Sequence, residues 1–333
     1  FIFFQKILNS NKSDYKINFS DSKLFYKDKY EDVIFLAKVK DLTSSYTDDF
    51  RQQLNAKFNI FNIPFKINIF NNLKKQNSIV NIESHKLRLK IKNNFEYNEE
   101  NIDGLIEFKI MNKTKKVNYN INKNLLNFNT DKENFKGKID FKPFYMTSDL
   151  NFHQIDIIKI FKNNSTFLNL LNTEILNNQS LNSVINIYSN KIKDVNYLNN
   201  IGLKIYFEEG NIIIKNSSLD WRDSILINLD EVQLINQNDN IVFSGTISFD
   251  FRDIEDFYRQ YQIKKTRRKM IKNIKLNFLL NINENKVELD NLNIDGFLNN
   301  NMNNFLNDFN FQKKNIFNKI IFRNSIKEFF NNL

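Results

Sequence analysis

Apolar and polar residues alternate along this chain from residue 57 to residue 294, in short runs that end in polar breaks. In the clearest run, 274–282, every second position is isoleucine, leucine or phenylalanine. Since side chains on a strand alternate between two faces, this period of two predicts strands with one apolar and one polar face. The other clear runs are Phe58–Ile60, Phe65–Ile69, Leu87–Ile91, Ile106–Ile110, Val117–Ile121, Leu203–Phe207 and Ile247–Phe251. We therefore predict a mainly β fold: an elongated, curved antiparallel sheet that forms a groove with one continuous apolar side.

Three segments depart from the alternation. The apolar residues of 155–171 and 253–261 suit a helical stripe and predict short helical insertions, with Asp253 as the N-cap of the second. The Asn-rich segment 297–333 predicts an amphipathic helical tail. Because no linker rich in Pro, Gly or Ser divides the rest, we predict one continuous β-groove over residues 1–296.

The composition narrows the choice of partners. The net charge is +10, but the lysines are spread along the strands, and the enrichment in Asn, Lys, Ile and Phe follows AT-rich codon usage. We therefore predict no nucleic-acid partner. The chain has no cysteine, which excludes disulfides and thiolate metal sites, and we predict no metal or cofactor. It begins at Phe1 without a signal sequence, so we expect a fragment that lacks an N-terminal anchor.

Residues that could carry catalysis do not form a recognisable motif. His85 and His153 are far apart in sequence, and neither has a metal-ligand partner at suitable spacing. Adjacent acidic pairs such as Glu208–Glu209 point to opposite faces of a strand, whereas general acid–base catalysis requires groups that converge. No phosphate-binding glycine loop or nucleophile elbow is present. We predict that the protein is not an enzyme.

Two further features have a structural interpretation beside a functional one. The basic residues of 264–269 are expected to form a solvated connection between a helix and a strand. The alternative is a contact with the phosphates of an anionic membrane surface. Trp221, the only tryptophan, is expected to be an anchor at a strand edge that packs on a neighbour, and the alternative is a contact with a ligand.

The apolar face itself allows more than one function. An open face could hold acyl chains, since each buried methylene contributes about 0.8 kcal/mol and a sixteen-carbon tail roughly 10 kcal/mol. The alternatives are a transmembrane β-barrel and a structural β-solenoid whose own side chains fill the core. For the lipid interpretation, we predict the lining residues Phe65, Ile67, Ile69, Phe108, Tyr119, Ile205, Phe207, Phe249, Leu276 and Phe278.

Several stretches together resemble the AsmA-like family of Gram-negative envelope proteins. The resemblance extends over most of residues 16–296, and the stretches that carry it are Phe61–Ile69, Gly137–Phe144, Ser148–Phe152, Ile155–Phe161, Glu209–Trp221, Asp223–Leu229, Phe243–Ile247 and Val287–Gly296. It implies a groove-shaped β-sheet in the periplasm, anchored to the inner membrane by an N-terminal helix outside this chain. It also implies phospholipid transport between inner and outer membrane surfaces in support of outer-membrane assembly, without catalytic residues.

Overall fold

A computed structural model confirms the mainly β, antiparallel fold class with short helical insertions and a helix near the C-terminus. It describes residues 15–27, 31, 33–47, 49–110, 113–130, 132, 134–160, 165–171, 173, 178–237, 240–281, 284, 286–299, 302–303, 306, 311–312 and 319–333. The chain divides into two compact units. Unit 1 comprises Phe1–Ser148 and Thr173–Leu181, and unit 2 comprises Asp149–Asn172 and Asn182–Leu333. The boundary predicted after residue 296 lies within unit 2.

Unit 1 is an antiparallel meander in which each strand from β1 to β10 pairs with the next. The hairpin between β3 and β4 is tight: Phe61 and Asn62, which join these strands, both have positive φ, the combination that a two-residue type I′ turn requires. The strands are β1 (Tyr15–Lys27), β2 (Val33–Thr47), β3 (Arg51–Ile60), β4 (Ile63–Asn72), β5 (Asn77–Ser84), β6 (Leu89–Tyr97), β7 (Asn101–Ile110), β8 (Lys113–Asn122), β9 (Leu125–Asn129) and β10 (Phe135–Phe141).

Strand β11 (Phe144–Ile155) begins in the residue range of unit 1 and ends in that of unit 2. In unit 2, β13 pairs with both β14 and β15, and both of these pair with β16. Lys215 and Asn216 separate β14 from β15, and Asn216 has a φ of 53°. The ladder continues from β16 to β19, and two short strands, β20 and β21, pair with β19. The strands are β12 (Asn182–Ile192), β13 (Val195–Glu208), β14 (Asn211–Ile214), β15 (Ser217–Trp221), β16 (Ile225–Gln237), β17 (Asn240–Phe251), β18 (Asn273–Asn281), β19 (Lys286–Ile294), β20 (Phe297–Leu298) and β21 (Phe311–Gln312).

The helices lie close to the predicted positions. The first insertion contains α1 (Ile157–Ile160) and α2 (Thr166–Leu171), and the second contains α3 (Ile254–Tyr261). Asp253 is the N-cap of α3, because its carboxylate accepts a hydrogen bond of 2.8 Å from the N–H of Asp256. The tail contains α4 (Lys319–Asn332), but β20 and β21 precede it, so its described part is only partly helical.

The helices α3 and α4 supply much of the core of unit 2. Phe257 of α3 is 2 % exposed and packs against Phe330 of α4, with 5.3 Å between ring centroids. Trp221 at the end of β15 lies edge-on to Phe257 at 5.7 Å and to Tyr261 at 5.9 Å. Trp221 is a packing anchor, as predicted, but it does not lie at a strand edge, because β15 pairs with both β13 and β16 and Trp221 contacts α3 as well as neighbouring strands. We call this set the helix-capped core; its buried members are Trp221, Ile225, Ile227, Ile254, Phe257, Tyr258, Tyr261, Ile263, Ile271, Ile274, Leu276, Leu292, Met302, Leu306 and Phe330.

Candidate functional site

The strand register of unit 1 collects apolar side chains on one face. Residues directly opposite each other in an antiparallel pair point to the same side of the sheet, so the register traces rows that cross successive strands. One row, from β2 to β7, is apolar at every position and is called the Ile67 row: Leu42, Ala56, Ile67, Ile82, Ile91 and Phe108. The adjacent Ile69 row runs from β2 to β8: Ser44, Leu54, Ile69, Val80, Asn93, Ile106 and Val117.

All five lining residues predicted in unit 1 lie on this face. Ile67, Ile69 and Phe108 belong to the two rows. Phe65 and Phe58 lie opposite each other on the same face, next to the Ile67 row, and their rings stack at 5.6 Å between centroids. Tyr119 is two residues beyond Val117 on β8 and therefore shares its face. The two rows together with Phe58, Phe65 and Tyr119 are called the unit 1 apolar face.

The opposite face of the same strands is mainly polar, with Phe70 and Ile79 as exposed exceptions. Glu83 and Lys90 face each other across β5 and β6 and form an ion pair of 2.9 Å. This hydrogen bond from Lys90 is the main cause that lowers the pKa of the Glu83 carboxyl. Two strands further, Lys116 pairs with Glu107 at 3.2 Å. The two sides of the unit 1 sheet thus differ in chemistry over at least four strands.

The unit 1 apolar face is long enough for an acyl chain. The Ile67 row crosses five spacings between strands of about 4.8 Å, or about 24 Å in total. The hydrocarbon core of a bilayer is about 30 Å thick, so one leaflet, and one acyl chain within it, spans about 15 Å. The row is therefore longer than one acyl chain lying along it.

Most of this face is only partly covered. Phe65, Ile67, Ile69 and Phe108 are half-buried, whereas Tyr119 is 7 % exposed. A small cluster of Val39, Leu42 and Ala56 is buried at its β2 end. The described residues of unit 1 form strands and turns and include no helix, so they supply no helical layer over the face.

Polar side chains lie on the same face near the ends of the strands. The Asn71 amide nitrogen donates to Gln52 at 3.1 Å, while Ser78 and Tyr97 donate to the Asn71 amide oxygen at 2.8 and 3.0 Å. Hydrogen bonds within this group reduce the cost of placing polar atoms beside an apolar surface. We call these four residues the polar belt.

Tyr119 and Asn93 form a second polar contact on the face. The Asn93 amide nitrogen donates to the Tyr119 hydroxyl at 2.9 Å. Burial raises the pKa of Tyr119, so its hydroxyl is neutral at physiological pH. The ring of Tyr119 therefore remains part of the apolar lining, while its polar atom is bonded to Asn93.

The five lining residues predicted in unit 2 also share one face. Phe249 lies opposite Ile274, Leu276 opposite Ile247, and Phe278 opposite Gly245. Phe207 lies on the same face, because a row across four strands connects it with Ile212, Leu234 and Phe243. Ile205 precedes Phe207 by two residues on β13 and therefore points to this face as well.

Part of this second face is covered by the chain itself. Leu276 is a buried member of the helix-capped core, and Phe249 and Phe278 pack against that core. Ile205 and Phe207 are half-buried and lie outside it. The residues that share a face in unit 2 therefore differ in how far their surface is available to a ligand.

Sequence reasoning missed several residues of the unit 1 apolar face, among them Val80 and Ile82 on β5. The run Ile79–Val80 places two apolar residues side by side, so alternation alone does not decide which one points inward. The register assigns Val80 and Ile82 to the apolar face, and Ile79 to the polar face, where it is 41 % exposed.

The candidate catalytic residues are not brought together. His85 lies exposed in the turn between β5 and β6, and His153 lies exposed near the end of β11. Over the described ranges, no group of three or more His, Cys, Asp or Glu side chains is arranged to hold a metal ion. No helix among the same residues combines the length and apolar character needed to cross a bilayer.

Comparison with known proteins identifies no relative. No family model matches the chain, and neither a curated protein sequence nor a solved structure matches it.

Proposed function

We propose that this protein binds and transfers phospholipid without catalysis, and that acyl chains lie along the unit 1 apolar face. The observation that carries the proposal is the Ile67 row, in which six consecutive strands place an apolar side chain on the same side. A single polar residue in this row would interrupt contact with a chain lying across the strands. Contact on one side of a sixteen-carbon chain covers about half its surface, which corresponds to roughly 5 kcal/mol at about 0.8 kcal/mol per methylene.

The polar belt sets one border of the proposed binding surface. Acyl chains would follow the Ile67 and Ile69 rows, and head groups would lie in solvent beyond the strand ends. The side-chain nitrogen of Gln52 is buried and has no hydrogen-bond partner among the described residues. A donor in this position can bond to the ester or phosphate oxygens of a lipid at the edge of the face.

In unit 2, we assign lipid contact to Ile205 and Phe207 and a structural role to Phe249, Leu276 and Phe278. The second candidate function, a structural protein whose face is filled by its own side chains, is favoured by the helix-capped core, where α3 and α4 already cover the sheet. Because unit 1 shows no such layer among its described residues, we favour lipid binding there.

The AsmA-like resemblance supports a cellular setting for this activity. We infer a periplasmic protein, anchored to the inner membrane by a helix outside this chain, that transfers phospholipid between inner and outer membrane surfaces. An apolar face without a ligand favours aggregation. Partial coverage of the unit 1 apolar face limits this risk while the protein carries no lipid.

A pair of double variants tests the lipid proposal. Ile82→Asp/Ile91→Asp places two carboxylates side by side in the Ile67 row, and Asn81→Asp/Lys92→Asp places two on the polar face of the same two strands. We expect gently purified wild-type protein and the polar-face variant to carry phospholipid, detected by mass spectrometry, and the Ile82/Ile91 variant to carry less than about a tenth as much.

Circular dichroism separates lipid binding from a self-filled core. In the proposed open face, the Ile82/Ile91 variant retains the β-sheet spectrum, because both carboxylates reach water when no lipid is bound. In a self-filled core the same variant unfolds, since two uncompensated charges are buried. Wild-type protein that carries no phospholipid and takes up none from vesicles would refute the proposal.

A further inference from the structure

One exposed hairpin of unit 2 presents apolar side chains to solvent. Strands β19 and β20 are joined by Asp295 and Gly296, both with positive φ, in a two-residue turn. Phe297 directly after the turn is 79 % exposed, and Leu298 is 55 % exposed. A phenylalanine this exposed gains nothing from the fold in water, so the hairpin holds an unused apolar contact surface.

The C-terminal part of the basic segment 264–272 lies beside this hairpin. The backbone N–H groups of Lys272 and Asn273 both donate to the Asp295 carboxylate at 2.8 Å, and the N–H of Asp295 donates to the carbonyl of Asn273 at 3.0 Å. Met270, 80 % exposed, lines an open cleft of about 430 Å³ together with Phe297 and Leu298. The three apolar side chains therefore form one surface.

The same segment carries six cationic residues and no acidic one. Arg268 forms an ion pair of 2.9 Å with Glu255, and the Lys269 ammonium donates to the carbonyl of Leu333. Lys264, Lys265 and Arg267 are exposed and form no ion pair with any described side chain. The carboxylate of Asp295 is engaged by two backbone N–H groups.

We infer that this surface docks on a bilayer that contains anionic phospholipid. Met270, Phe297 and Leu298 would enter the interface between head groups and acyl chains, and Lys264, Lys265 and Arg267 would contact lipid phosphates. An exposed apolar cluster whose Met270 follows the unpaired cations within one short segment matches this interface, which is apolar below and negatively charged above. A nucleic acid would use the cations but leave the three apolar side chains in water.

The docking surface is separate from the acyl-binding face proposed for unit 1, and neither requires the other. Its residues belong to unit 2 and lie outside the Ile67 and Ile69 rows. Vesicle binding measures docking, and phospholipid retained by purified protein measures acyl binding. The two measurements therefore show separately whether the docking proposal or the acyl-binding proposal fails.

Flotation with vesicles tests the docking surface on the full chain. The probes are vesicles of pure phosphatidylcholine and vesicles with 30 % phosphatidylglycerol, each at low and high salt. One cationic residue near such a surface contributes about fivefold to partitioning, so Lys264→Gln/Lys265→Gln/Arg267→Gln is expected to weaken binding to the anionic vesicles by about a hundredfold. The matched control neutralises three exposed lysines elsewhere, Lys74→Gln/Lys75→Gln/Lys109→Gln, and is expected to bind within about threefold of wild type.

The apolar part of the surface has its own test. Met270→Ser/Phe297→Ser is expected to reduce vesicle binding at least tenfold at both salt concentrations, because insertion is not screened by salt. Phe70→Ser/Ile79→Ser removes two exposed apolar residues on the polar face of unit 1 and serves as the control. Equal binding to both vesicle types overturns the proposal. So does unchanged binding by the Met270/Phe297 variant, or binding of duplex RNA or DNA that exceeds binding to anionic vesicles.

Discussion

Truncation of Phe257 tests whether α3 covers the sheet of unit 2. The ring is 2 % exposed and lies 4.6 Å from Tyr261, 5.3 Å from Phe330 and 5.7 Å from Trp221, measured between ring centroids. Phe257→Ala removes these contacts and leaves a cavity that the surrounding rings cannot close. Buried Phe→Ala substitutions lower the free energy of unfolding by about 3–5 kcal/mol.

Urea denaturation followed by tryptophan fluorescence measures this loss. Trp221 is the only tryptophan and belongs to the helix-capped core, so its emission reports the unfolding of that core. With a urea dependence of about 2 kcal/mol/M, a loss of about 4 kcal/mol lowers the midpoint by about 2 M. The native emission should also shift to the red, because the cavity admits water to the indole.

Tyr188→Ala is the control for this measurement. Tyr188 is 50 % exposed on β12 of the same unit, and its truncation should change stability by no more than about 0.5 kcal/mol. If Phe257→Ala shifts the midpoint as little as the control does, α3 does not cap the sheet. Phe249, Leu276 and Phe278 would then return to the set of available lipid contacts.

Three further predictions concern the same unit. Asp253→Ala should lower the free energy of unfolding of unit 2, measured in urea, by about 1 kcal/mol through loss of the N-cap. Asp253→Asn should retain most of this stability, and equal losses in the two variants would contradict the capping role. Gly245→Ala would place a Cβ 2.6 Å from the Val232 Cα and should cost about 1–3 kcal/mol, whereas Gly202→Ala, with 3.9 Å to its nearest neighbour, should cost less than about 1 kcal/mol in the same assay. Burial raises the pKa of Tyr261 to about 12 from 10.0. The stability that depends on the neutral Tyr261 hydroxyl is therefore complete below pH 10 and is lost as the pH rises from 10 to 12. The midpoint in urea should fall less between pH 9 and pH 11.5 in Tyr261→Phe than in wild type, and an equal fall in both proteins would exclude Tyr261 as the cause.

Alternation along the chain was sufficient to predict the β fold. Within most strands it also showed which residues point to the same face. In β4, the run Phe65–Ile69 has no adjacent apolar pair, and all its inward residues were predicted. In β5, the pair Ile79–Val80 conceals the parity, and only hydrogen bonding to β4 and β6 decides it. Local pattern thus specifies a face wherever polar residues separate the apolar ones.

The sequence could not show which part of the apolar surface the chain covers by itself. Leu276 and Ile67 have the same alternating context, yet Leu276 lies in the helix-capped core and Ile67 is half-buried on the unit 1 apolar face. The difference arises from α3, which ends fifteen residues before Leu276, and from α4, which begins more than forty residues after it. Burial by a distant helix depends on tertiary packing and leaves no mark in the strand it covers.

Photo-crosslinking along β4 tests the central claim most directly. A photoreactive amino acid is placed singly at each position from 65 to 70, and the protein is irradiated with radiolabelled phospholipid in vesicles. Lipid held on the unit 1 apolar face should crosslink at Phe65, Ile67 and Ile69 and at least fivefold less at the intervening positions 66, 68 and 70, since side chains alternate between faces. Crosslinks of equal intensity at all six positions, or none at the three inward ones, would contradict the claim.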